Sequence, residues 1–180
     1  MRRFTKALLF GVLALAMLAV AAPPSGAASN GAAVERPYEA TSTGTSVVGE
    51  CDVSGFPIVV CPQDSVSEVV GTHVGRGTST VSGTSTLDFS QACLGREDAP
   101  GIRVTTEQQG TIVAADGSEL VIDTEVTSCF VDFGLGLDVS GTTTIVGGSG
   151  RFEGASGSYS LVGSVDDEVA VSRSTGTITY

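Results

Sequence analysis

Two patterns divide the chain. Residues 7–22 form an unbroken apolar run behind a short basic stretch, with Pro23 and Pro24 ending it. Beyond Pro37 no segment carries the i, i+3, i+4 apolar rhythm of a helix, and short alternating runs of Val, Thr, Ser and Gly take its place. Alternation of period two puts successive side chains on opposite faces of a strand. Leu120, Ile122 and Val126 then share one face, and Val121, Asp123 and Glu125 share the other, which should point outward. Tyr159, Leu161 and Val165 likewise oppose Ser158, Ser160 and Ser164. The pattern predicts eight strands, near 38–49, 66–74, 77–89, 103–114, 119–127, 136–146, 157–165 and 173–180. Asp116-Gly117 between two of them predicts a two-residue hairpin, whose central positions need positive φ.

The N-terminal segment reads as an export signal. Met1–Lys6 is basic, residues 7–22 are apolar, and Gly26-Ala27-Ala28 offers the small side chains required at a cleavage site, which is expected after Ala28. At ~1.5 Å per residue the apolar run reaches ~24 Å as a helix, short of the ~30 Å hydrocarbon core. The expected organisation is a signal peptide at 1–28, a small-residue leader at 29–37 and one β-domain at 38–180, released to the exterior with no membrane attachment after cleavage.

Cysteine and charge agree with that destination. Cys51, Cys61, Cys93 and Cys129 all lie beyond the signal, and an even count in an exported chain predicts two disulfides. Three pairings are open, of which Cys51 with Cys61 and Cys93 with Cys129 join sequence neighbours. Zinc would need CxxC-type spacing and more imidazole than His73 provides, so no metal is expected. Formal charge is −11, and loss of Arg2, Arg3 and Lys6 with the signal would take it to −14. So acidic a surface repels phosphate backbones and anionic headgroups, which argues against nucleic-acid partners.

Glycine supplies 24 of 180 residues, about twice the ~7% average, which suits turns and tight strand curvature. With no Trp, the core is expected to be built from Val, Ile, Leu and Phe. Eight antiparallel strands fit a closed β-barrel, which removes exposed edges and encloses room for side chains or one small ligand; a two-sheet β-sandwich is the alternative.

Two segments carry a resemblance. Gly71-Thr72-His73-Val74-Gly75-Arg76-Gly77-Thr78 resembles the THLGR-type segment of small secreted bacterial β-proteins, and Gly147-Gly148-Ser149-Gly150-Arg151-Phe152-Glu153-Gly154-Ala155-Ser156-Gly157 resembles their GGTGRFxGATG turn. The second is also similar to the GGTGxF segment of plant dirigent proteins. The resemblance spans roughly residues 66–180 and implies the allene oxide cyclase and dirigent barrel group: an eight-stranded antiparallel barrel with a central cavity, mostly without assigned activity among bacterial members, and a capacity to associate into oligomers. Val74 stands for the usual Leu and Ser149 for the usual Thr, while Cys51–Gln63 has no counterpart. No catalytic or substrate-contacting residue of the group maps onto this chain.

Candidate chemistry is sparse. The glycine-rich turn is no phosphate loop, because no lysine follows Lys6 and the spacing misses GxGxxG. Phe152 is expected to plug a barrel end, and Arg151 to pair with a carboxylate or cap carbonyls, with a ligand role as its alternative. His73 is the sole imidazole and no GxSxG elbow presents a nucleophile. His73 is expected to be a hydrogen-bonded structural residue; pointing into the barrel beside Arg76, it would become a polar handle in the cavity. The acidic run Asp166-Asp167-Glu168 lacks the DxDxDG pattern of a calcium loop and reads as a solvated turn.

These observations predict a secreted, disulfide-stapled, cofactor-free barrel that binds or scaffolds without catalysis, with a small apolar or aromatic ligand in its cavity. The candidate ligand contacts are His73, Arg76, Arg151 and Phe152. Two other readings are a cofactor-free cyclase or dirigent-like enzyme, and an extracellular interaction module working through its outer surface.

Overall fold

The structure is a computed structural model that describes residues 33–91, 93, 101–130, 137–166 and 169–180. The export signal lies outside the described residues. The alternation seen in the sequence becomes eight strands: β1 (Glu35–Val48), β2 (Ile58–Gly71), β3 (Gly75–Asp88), β4 (Ile102–Ala114), β5 (Glu119–Phe130), β6 (Leu137–Ser149), β7 (Ser156–Asp166) and β8 (Val169–Thr179). Each pairs antiparallel with its sequence neighbours, and β1 pairs with β8, closing the sheet into a barrel. Leu120 and Ile122 point inward and are buried, whereas Val121 is 39% exposed.

Three differences from the sequence reading have local causes. β1 starts at Glu35, so the last residues of the expected leader pair with β8, from Glu35 opposite Thr179 to Pro37 opposite Thr177. β2 starts at Ile58, eight residues before the predicted strand, and runs through Cys61-Pro62. A strand residue's N–H and C=O face the same neighbour. The Pro62 carbonyl accepts from Gly49 N at 2.8 Å, just past the end of β1, so the missing N–H removes no ladder bond there. Finally, the β4–β5 turn is longer than two residues. Gly117 N donates to Ala114 O and Ala114 N to Ser118 O, both at 2.9 Å, with Gly117 at φ 81°. This is a turn centred on Ala115-Asp116 followed by a left-handed glycine.

The up-and-down topology gives the barrel two unlike ends. At one, the β2–β3, β4–β5 and β6–β7 turns meet the start of β1 and the end of β8. A buried apolar cluster fills this half, including Tyr38, Val69, Val74, Ile112, Leu120, Ile145, Phe152, Tyr159 and Ile178. Val, Ile, Leu and Phe152 thus build most of this core, as expected, with Tyr38 and Tyr159 added to them, while Phe56 and Phe89 are exposed. Both phenols line the cavity, and the Tyr159 hydroxyl bonds Thr143. At the opposite end, Cys51 bridges Cys61 and Cys93 bridges Cys129, with Cα separations of 4.2 and 5.4 Å. No helix among the described residues is long and apolar enough to cross a membrane.

Candidate functional site

The half of the lumen toward the disulfide end is hollow. A cavity of about 210 Å³ rises from a floor containing Tyr38, Ile112, Ile122 and Tyr159 to residues near the strand ends, among them Ser46, Val139, Val165 and Ala170. The floor owes its shape to Gly176, which faces Tyr38 on β1 and Tyr159 on β7 in register. The two rings stack across it with centroids 4.7 Å apart and planes inclined by 26°. A Cβ at Gly176 would collide with the Ser158 carbonyl oxygen and Tyr159 Cα.

The walls combine apolar side chains, including Val81, Val126 and Leu161, with hydroxyls and two amides. The polar groups are largely tied to one another across strands. Ser85 Oγ donates to the Gln63 side-chain oxygen and lies 2.7 Å from Thr106 Oγ1. Gln108 Nε2 donates to Ser65 Oγ at 3.1 Å, and Ser65 Oγ is 2.7 Å from Ser46 Oγ. Ser42 meets Ser172 at 2.7 Å and Thr124 meets Thr143 at 3.0 Å. Such a network orients the walls and leaves few degrees of freedom for their rotamers.

Among the described residues no Asp, Glu, Lys, Arg or His lines the cavity, and the ionisable groups there are the two phenols. Burial pushes Tyr159 up to about 12, against a smaller opposing effect of its hydrogen bond with Thr143, and burial raises Tyr38 further, with Tyr159 adding to it. Both stay protonated at neutral pH, so the described lining presents a neutral surface.

The sequence-derived candidates stand at the other end. Arg151 gathers the three closed-end turns: it pairs with Asp116, donates to the carbonyls of His73 and Val74 at 3.0 and 3.2 Å, and its backbone N–H bonds Ser118 Oγ at 3.2 Å. The Asp116 carboxyl is held below its usual range, chiefly by the Ser118 N–H and further by Arg151. Phe152 is fully buried, with Tyr180 edge-on at 5.4 Å and the Arg151 guanidinium 4.7 Å from its ring. His73 Nε2 donates to Pro37 O at 2.9 Å, and its Nδ1 hydrogen-bonds the Tyr180 hydroxyl at 3.1 Å. Arg76 is exposed at the start of β3, where its carbonyl accepts from Ala115 N. Arg151, His73 and Phe152 are therefore brought together, Arg76 sits beside them, and none of the four lines the cavity. Of the acidic run, 167 and 168 lie outside the described residues.

Sequence reasoning missed the actual lining, Tyr38, Gln63, Gln108 and Ser174 among it. The signal available was register: these residues share the inward parity of Ala40, Val69, Ile112 and Ile178 on their own strands. No family model, curated protein or solved structure matches the chain.

Proposed function

We propose that this protein is an exported binding protein that holds a small uncharged molecule with an apolar or aromatic body in the hollow half of its barrel, without transforming it. The observation that carries this reading is the cavity, whose described lining consists of apolar and neutral polar side chains. A volume of about 210 Å³ falls below the ~300–1,000 Å³ of pockets for drug-sized ligands, which suits a molecule of one or two rings. With both phenols protonated and His73 at the far end, no described residue of the lumen offers a general base at neutral pH, which supports binding over catalysis. The two disulfides and the N-terminal sequence support an oxidising, extracellular destination. The closed eight-stranded barrel is also the fold that the resemblance to the allene oxide cyclase and dirigent group implies, and we carry that kinship as part of the proposal.

Titration of the oxidised protein with uncharged hydrophobic dyes and simple phenolics tests the reading. One saturable site is expected, lost in Ser172→Leu, which fills the lumen beside Ser42. Absence of saturable binding across such a panel removes it.

A further inference from the structure

Most polar groups in the lumen have partners, and the exceptions are informative. Tyr38, Ser79 and Ser174 are 1%, 7% and 8% exposed and all line the cavity. None of their hydroxyls has a hydrogen-bond partner among the described residues, although no fully enclosed side-chain N or O atom there lacks one. The three hydroxyls must therefore open onto the cavity itself. Gln63 adds to them: its carbonyl oxygen accepts from Ser85, which leaves its amide N–H groups without a partner.

An enclosed hydroxyl without a protein partner costs about 1–3 kcal/mol unless something else satisfies it. Ordered water would do so at no cost to the fold. Here, however, the Tyr38 ring is fixed by stacking on Tyr159 within the buried cluster, so the position of its hydroxyl oxygen is set by packing. A phenol that stays protonated and a primary amide both supply donors. The complementary group on a guest is an oxygen acceptor. A carboxylate is the wrong acceptor, because no cation lines the cavity among the described residues and the chain carries a formal −11.

We infer that Tyr38 is the specificity-determining donor of the lumen and that the ligand is an uncharged carbonyl- or ether-bearing ring compound whose oxygen accepts from its hydroxyl at the floor, with Ser79, Ser174 and the Gln63 amide contacting further oxygens. This rests on the lumen-binding reading above and narrows it from any apolar guest to one chemical class.

The test uses a matched pair of probes, 1-indanone and its hydrocarbon indane, on the oxidised protein. Wild type should bind the ketone about tenfold more tightly than the hydrocarbon, and the infrared carbonyl stretch of bound indanone should move to lower wavenumber, the signature of a donated hydrogen bond. Tyr38→Phe should weaken indanone about tenfold, leave indane unchanged and return the stretch to its apolar position. The melting temperature should not fall, since the hydroxyl bonds nothing in the protein. Ser174→Ala should reduce indanone binding less and leave the stretch in place. Equal affinity of the two probes for wild type overturns the inference while the lumen reading survives. So does an unshifted carbonyl stretch, and both comparisons are made on wild type should the variant not fold. A stretch that stays low in Tyr38→Phe assigns the donor elsewhere and overturns it too. Failure of both probes to bind wild type removes the inference together with the reading beneath it.

Discussion

Truncating Phe152 to alanine probes the closed end directly. The ring has no exposed surface and packs in the cluster with Leu120, Ile145 and Ile178, edge-on to Tyr180. It hangs from the Gly150–Phe152 helical turn, whose chain is pinned on both sides: Glu153 N bonds Gly150 O at 3.2 Å and Ala155 N bonds Phe152 O at 2.9 Å. A turn held in this way cannot collapse into the space the ring vacates, which places Phe152→Ala in the full range of about 3–5 kcal/mol for buried Phe→Ala changes. For a domain of this size each kcal/mol moves the melting temperature by about 2–4 °C, so the midpoint should fall by roughly 10 °C. Phe152→Met keeps most of the volume and should cost only about 1 kcal/mol. Equilibrium urea unfolding gives both values, provided the m-value stays constant. An alanine variant within about 1 kcal/mol of wild type would mean that the ring does not plug the barrel.

Three further outcomes follow from the same geometry. Replacing both cysteines of each bridge should cost about 3 kcal/mol for Cys51–Cys61 and about 4 for Cys93–Cys129, because loops of 10 and 36 residues are closed; denaturant midpoints that rank the other way count against loop closure as the cause. Gly176→Ala should destabilise by about 1–3 kcal/mol and lower lumen affinity, since the added methyl displaces Tyr159 from Tyr38; an unchanged melting temperature refutes the tight floor. Tyr38 and Tyr159 ionise above the ordinary phenol range, so the stability they confer is complete below about pH 10 and declines as pH rises toward the Tyr159 value of about 12. Phenolate absorbance rising at 295 nm should therefore leave both silent at pH 10.5 in folded protein, and full ionisation there contradicts their burial.

The strands were legible because alternation survives wherever one face is apolar, as along Leu120–Val126 and Tyr159–Val165. Residues 58–65 escaped because Pro57 and Cys61-Pro62 look like loop chemistry; only the point where β1 ends shows that Pro62 loses no bond. The plug and the carbonyl-capping arginine were readable because glycines on either side leave Arg151-Phe152 little else to do in a tight turn. The cavity-lining residues were not, for a physical reason. Along β1, β3 and β8 the inward positions are Ser42, Ser79, Ser172 and Ser174, and the outward positions are Thr41, Thr43, Thr78 and Thr175. Hydroxyls on both faces erase the contrast on which periodicity depends, and a hollow does not require apolar walls as a packed core does.

That erasure has a consequence for how the two ends of the barrel relate. The conspicuous segments, 71–78 and 147–157, serve the closed end, where Arg151 joins three turns and Phe152 seals the bore. Once those turns fix the register of every strand, each inward side chain farther along is already assigned its height in the lumen. Ser, Thr and Val at those heights can then be exchanged for one another without disturbing a turn, a disulfide or the apolar cluster. On the lumen-binding proposal, ligand preference should therefore track the inward residues of β1, β3 and β8 rather than the glycine-rich segments. Exchanging Ser42, Ser79 and Ser172 for valine together should lessen the preference for ketone over hydrocarbon without abolishing it, since Tyr38 remains, while leaving the melting temperature within a few degrees of wild type. A large loss of stability in that variant would show that the lumen hydroxyls hold the barrel together instead of facing a guest.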